Sequence, residues 1–320
     1  MKKKYVITLS IFGIILLCIG LRFWIMGSSC TGPVAQKELN GSDVMPLNGA
    51  PLCVEIAPGL RFKFDTGADI SSINEKDLEK LQKMGYDHRI INRPIAGRDG
   101  YGAHFFGTKR VIVNLPIGGY TIVSSADSCQ SLVYSGKPTN ELIDVEFALT
   151  DKECSTFGLT LLQKFKQEFL FLPHAVTFHS SVPDSYQHVA GIETDTQLLD
   201  YIWPAKRPYL ILNVNQIPNI FLLDTGLQRT SVKMPTRDEF RSKNPLRSDS
   251  FRSMVHVYPA KVDDAAWVEL GNRSGAKMIC YYDNTEDDYQ FNPLNLYSQD
   301  MFLDLEGKSL LFRPTSSTEK

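Results

Sequence analysis

Residues 62–73 read FKFDTGADISSI, and residues 221–232 read FLLDTGLQRTSV. Each stretch carries Asp-Thr-Gly at the end of an apolar, strand-like run. A single copy of this tripeptide means little, since a chain of this length shows one by chance roughly one time in ten. Two copies in matching surroundings are a different matter. Glycine after Asp-Thr permits a sharp turn and lets its amide approach the carboxylate. The threonine offers a hydroxyl to hold that turn.

The matching extends outward from the motif. When Asp65 is laid on Asp224, Thr66 falls on Thr225, Gly67 on Gly226, Ser72 on Ser231 and Ile73 on Val232. Short runs rich in Val, Ile, Phe and Tyr flank both copies, among them LRFKF, KRVIVNLPI, YTIVSS, EFLFL and AVTFH in the first half. YLILNV, IFLLD, MVHVY, AWVEL, KMICYY, MFLDL and SLLF follow in the second. Gly, Pro, Asn and Asp separate them, which predicts hairpins in an all-β chain with few short helices. Residues 111–128 are expected to answer to 267–284, and 169–178 to 302–312 with one residue inserted. Ser72-Ile-Asn-Glu75 predicts a capping box opening a helix that Gly85 stops, and Thr236-Arg-Asp-Glu239 repeats the signature. TLLQKF (160–165) and DTQLLDYIW (195–203) are weaker helical stretches.

A duplicated carboxylate on a two-fold axis meets its twin. Two carboxyls about 3 Å apart cannot both ionise, so they share one proton and titrate as a pair. Such a pair can hold a water between one base and one acid. The ionised member takes a proton from the water as it attacks a carbonyl, and the protonated member donates to the carbonyl oxygen.

The stretch KFDTGADISSI resembles the active-site loop of pepsin-like and retropepsin-like aspartic proteases, with Ala68 as in the retroviral branch and two lobes in one chain as in pepsin. Thr156-Phe157-Gly158 through Leu162 resembles the hydrophobic-Gly element and short helix of that family. The resemblance implies a bilobal, pseudo-two-fold double β-barrel. It makes Asp65 and Asp224 the catalytic pair, with Thr66, Gly67, Ala68, Thr225 and Gly226 supporting the loops. It also implies a β-hairpin flap, for which PIAGRDGYGAHFFG (94–107) is the candidate and Tyr101 the tip. No metal or other cofactor is implied. Two positions depart from the family: Leu227 follows the second motif, and FNPLNLYS (291–298) offers Asn292-Pro293 in place of a hydrophobic-Gly pair.

The expected organisation is a membrane segment at 1–30, a tether at 31–45, a first lobe at 46–180, a connection at 181–205 and a second lobe at 206–315. Three lysines precede an apolar run from Tyr5 to Leu21. They predict a transmembrane signal-anchor across residues 5–26, with the globular part outside the cytoplasm. A cleaved signal peptide and lipid attachment at Cys30 are the alternatives. With six cysteines and no zinc spacing, a disulfide between Cys129 and Cys154 is the first expectation for an exported domain. A formal net charge of −2 gives no basic field for nucleic acid. Neither H-E-x-x-H, G-x-S-x-G nor a phosphate-loop pattern occurs. The expected partner is a peptide or protein substrate of a monomeric endopeptidase. The rival class is a peptide-binding or interaction protein that keeps the scaffold without turnover.

Overall fold

Alternation sets the strands. Leu60–Phe64 buries Leu60, Phe62 and Phe64 while Arg61 is exposed. Pro208–Val214 buries Pro208, Leu210, Leu212 and Val214. A period of two sends such residues to one face, and that face makes the core. The computed structural model describes residues 13–17, 43–46, 53–57, 59–92, 95–98, 104–107, 109–115, 122–124, 132–134, 143–150, 154–163, 165–172, 174–179, 181–194, 207–227, 230–233, 244–252, 257–282, 289–297 and 299–314. These are mostly β, with short helices at Glu75–Lys83, Leu159–Leu162 and Pro293–Leu296. Among the described residues no helix is long and apolar enough to cross a membrane. Of the predicted anchor only 13–17 is described, as an exposed helical stretch.

The strand Leu60–Phe64 lies between Cys53–Ala57 and Ser155–Phe157, antiparallel to the first and parallel to the second. Ser155–Phe157 also meets Ser72–Asn74 antiparallel, and Ser72–Asn74 runs parallel to Ile143–Thr150. The second half repeats each of these relations. Ile217–Leu223 lies antiparallel to Pro208–Val214 and parallel to Tyr289–Phe291. Tyr289–Phe291 meets Ser231–Lys233 antiparallel, and Ser231–Lys233 runs parallel to Arg273–Tyr282. In both halves, therefore, the segment after Asp-Thr-Gly loops out and returns past the strand that extends the sheet. Phe62 stacks on Phe157 with ring centroids 4.5 Å apart, and their counterparts Phe221 and Phe291 are also fully buried.

A six-stranded sheet joins the halves, in the order Asp43–Pro46, Ala175–His179, Lys166–Leu170, Met301–Asp304, Ser309–Phe312, Gln187–Gly191. Its register is palindromic. Leu170 pairs with Ala175 and Asp304 with Ser309, so the two hairpins superpose with Glu168 on Phe302. Those two residues also face each other at the centre of the sheet, which places the local two-fold axis between them.

This register corrects several expectations. The hairpin 169–178 answers to 303–312 with nothing inserted. The expected alignment slipped by one residue because Phe-Leu recurs in both, and such a slip turns every side chain to the other face. The counterpart of Arg273–Tyr282 is Ile143–Thr150, since these two strands run beside Ser231 and Ser72 respectively. Residues 119–128 are not. The first half has a longer excursion there, containing the paired strands Ile122–Ser124 and Leu132–Tyr134. Asp43–Pro46, assigned to the tether, is an edge strand of the sheet, and Gln187–Gly191, assigned to the connection, is its equivalent on the opposite edge.

The first helix starts two residues later than its expected box. Asn74 is its cap, accepting from the Asp77 amide at 2.8 Å, because Ser72 is committed to the sheet. Gly85 has φ +85°, the left-handed conformation expected of a helix stop. The 160–165 stretch is helical at Leu159–Leu162. The helices expected at 195–203 and after Thr236 lie outside the described residues.

Candidate active site

Both Asp-Thr-Gly turns sit at strand ends in the middle of the molecule, and they face each other. The Thr66 amide donates to Thr225 Oγ1 (3.1 Å) and the Thr225 amide donates to Thr66 Oγ1 (3.0 Å). Each hydroxyl then donates across to the carbonyl before the other aspartate: Thr66 to Leu223 at 2.8 Å, Thr225 to Phe64 at 3.1 Å. Both threonines are buried, at 0% and 1% exposure, so six polar groups are satisfied by the four hydrogen bonds of this one exchange. The glycines come closer still. A Cβ at Gly67 would collide with the Asp224 carboxyl, and one at Gly226 with the Asp65 carboxyl. Only glycine lets each loop lie against the opposite acid.

The two carboxyls hydrogen-bond each other. Asp65 Oδ1 accepts the amides of Gly67 and Ala68, both at 3.0 Å, and Asp224 Oδ1 accepts that of Gly226 at 2.9 Å. Asp65 Oδ2 accepts something the motif does not supply, the Lys63 ammonium at 2.8 Å. The pair is therefore chemically split. Burial opposes the charge on Asp65, but the Lys63 ammonium and the hydrogen bonds from Lys63, Asp224 and Ala68 outweigh it and hold that carboxyl below the usual range. Burial, then the neighbouring Asp65 charge, pushes Asp224 well above the usual range against the pull of Lys63.

Each loop is backed by a second element. In the first half the Asp65 amide donates to Phe157 O (3.1 Å) and Gly158 packs against the backbone of Ile70 and Ser71, where a Cβ has no room. In the second half the Asp224 amide donates to Phe291 O (2.9 Å), so Phe291-Asn292 occupies the equivalent place. The missing glycine is compensated. Asn292 is fully buried, and its Nδ2 donates to Thr225 O (3.1 Å) and Leu227 O (2.6 Å) while its Oδ1 caps the Leu294 amide. Its side chain fastens the loop from within. Asn292→Ala is expected to remove both of these hydrogen bonds and the cap on Leu294, and to cost about 1–3 kcal/mol in urea unfolding. Leu227, the other departure, is buried with 8% exposure.

Asp69 of the first loop forms a two-pronged pair with Arg207 at the start of the second half, at 2.8 and 3.0 Å. The candidate flap is a hairpin, with Ile95–Arg98 antiparallel to His104–Gly107. Its tip, including Tyr101, lies outside the described residues. Cys129 does too. The thiol that Cys154 meets is that of Cys53, in a hydrogen-bonded pair of free cysteines. The expected Cys129–Cys154 bridge thus gives way to a different neighbour, because Cys53 and Cys154 flank the same strand.

Lys63 and Arg207 were not singled out by the sequence, and Asn292 stood there only as a departure from the hydrophobic-Gly pattern. Of the first two, only Lys63 left a readable trace, as a charge two residues before Asp65 where the second copy has Leu222. No family model and no curated protein matches the chain.

Proposed function

We propose that the chain is an aspartic endopeptidase with the two-lobed, pseudo-two-fold architecture of the pepsin and retropepsin families. The observation that carries this reading is the hydrogen-bonded Asp65–Asp224 pair, set at equivalent positions and locked by the reciprocal threonine bonds. In the reaction, Asp65 as carboxylate takes a proton from a water, whose oxygen attacks the peptide carbonyl carbon. Asp224 gives its proton to the carbonyl oxygen. The proton now on Asp65 passes to the amide nitrogen as the C–N bond breaks, and Asp224 recovers a proton from the intermediate's hydroxyl. The substrate is an extended peptide, laid across the dyad and covered by the 95–107 hairpin. The lysine-preceded apolar segment tethers the enzyme to a membrane, with its globular part outside the cytoplasm.

The test is cleavage of a diverse peptide mixture by the full chain in detergent from pH 3 to 8. Cleavage that a statine-type transition-state analogue blocks, and that Asp224→Asn lacks, supports the reading. A folded protein that binds peptides and cleaves none at any pH replaces it with a peptide-binding module.

A further inference from the structure

Besides Leu227 and Asn292, one further difference between the two halves lies beside the dyad itself. Register places Lys63 opposite Cys53 and Thr156, and Leu222 opposite Tyr209 and Gln290, in equivalent strands one residue from the turn. The Leu222 site is apolar and 3% exposed. The Lys63 site holds an ammonium whose side chain is only 17% exposed and whose nitrogen lies 2.8 Å from Asp65 Oδ2. A buried ammonium must be compensated, and the charge nearest to it is a dyad carboxylate. A symmetric pair has no preference for which member carries the proton; this one does.

We infer that Lys63 is a positioning residue that breaks the symmetry of the dyad, fixing Asp65 as the base and Asp224 as the acid and setting the pH range in which that arrangement exists. The inference rests on the peptidase reading for its kinetic consequence, though not for its titration. Lys63 itself neither gains nor loses a proton in the reaction. With one proton shared, the Lys63–Asp65–Asp224 trio is neutral, whereas a dyad without the lysine carries one negative charge. The ammonium makes Asp65 a weaker base and preserves its ionised form in acid. The other titratable groups about Lys63 are Asp224 from the second half, Cys53 from the strand on one side, Cys154 beside the strand on the other, and Arg61 on its own strand. Of these, Asp224 is the one that shares the reacting proton.

The experiment compares full-length wild type with Lys63→Leu, which copies the native residue of the other half, and with Lys63→Arg. Two readouts are taken: the pH profile of kcat/KM, and NMR titration of 13C-carboxyl-labelled aspartates assigned with the Asp65→Asn and Asp224→Asn variants. In Lys63→Leu both limbs of the profile, and the Asp65 titration, are expected to move to higher pH by about one unit or more. Lys63→Arg should restore the wild-type positions. A Lys63→Leu enzyme that loses rate with its limbs unmoved overturns the inference and leaves the peptidase reading intact. Absence of cleavage with the Asp65 titration displaced overturns the peptidase reading and leaves Lys63 as the group that splits the pair. If Lys63→Leu does not fold, the wild-type spectrum decides: Asp65 ionising at lower pH than Asp224 supports the inference, and the reverse order or a single shared midpoint overturns it.

Discussion

Asp65→Asn and Asp224→Asn should each abolish peptide cleavage, by on the order of 10²–10⁴-fold or more in kcat/KM, yet differ sharply in stability. The rate loss follows from removing the base or the acid of a two-group mechanism. The stability difference follows from what each carboxyl does in the resting protein. Burial and the Asp65 charge disfavour ionisation of Asp224, so an amide of nearly the same shape replaces it with less disturbance. Asp65 is the nearest counter-charge of Lys63, and its amide would leave that half-buried ammonium only the Asp224 carboxyl as an anionic neighbour. Breaking a fully buried pair costs about 3–5 kcal/mol, and the remaining Asp224 carboxyl reduces the cost here. The sign with pH is fixed by the lowered Asp65 titration: its stabilisation is present above the carboxyl's unfolded value and is lost as pH falls through its folded one. Urea melts of both variants at neutral and acid pH check this. Wild type and Asp65→Asn should converge in stability on acidification. Equal midpoints for the two variants at neutral pH would count against the ion pair.

The second large effect is expected in the threonines. Thr66→Val or Thr225→Val keeps the shape of the side chain and deletes a hydroxyl that accepts one buried amide and satisfies one buried carbonyl. Two orphaned groups cost about 2–6 kcal/mol together. Because the partners belong to opposite halves, the cost also falls on the alignment of the carboxyls, and cleavage should drop further than stability alone explains. Thr→Ser keeps the hydroxyl and loses one methyl, worth about 0.8 kcal/mol. The two single valine variants should not add in the double mutant, since each already breaks the same reciprocal exchange.

The carboxyl pair, its threonines and its glycines were legible because a short motif repeated in register is a local signal, and its partner is its own copy. The all-β character was legible from runs such as YLILNV for the same reason. What failed was pairing at a distance. Nothing within VIVNLPIGGYTIVSS reveals that the strand beside Ser72 comes from Ile143–Thr150, because that choice is made by which apolar face closes on the Phe62–Phe157 stack. The hairpin alignment slipped by one residue on a repeated Phe-Leu that only cross-strand register could resolve. Asn292 looked like a lost glycine, since a side chain that hydrogen-bonds inward and one that obstructs read alike on paper. Lys63 stood in plain sight beside the motif. A charge two residues before an aspartate is usually solvated, and only the fold turns it inward.

The sheet that joins the halves also imposes an order on biosynthesis. Lys166–Leu170 is complete long before Met301–Asp304 has been made, and at about 5–20 residues per second it waits for several seconds with one edge open. An open edge invites pairing with another copy of itself. In the finished protein Glu168 meets Phe302 across the axis, but a second nascent chain docking in the same register would bring Glu168 against Glu168. Like charges directly opposed across strands repel. The glutamate at the axis is therefore a charge set against that self-pairing.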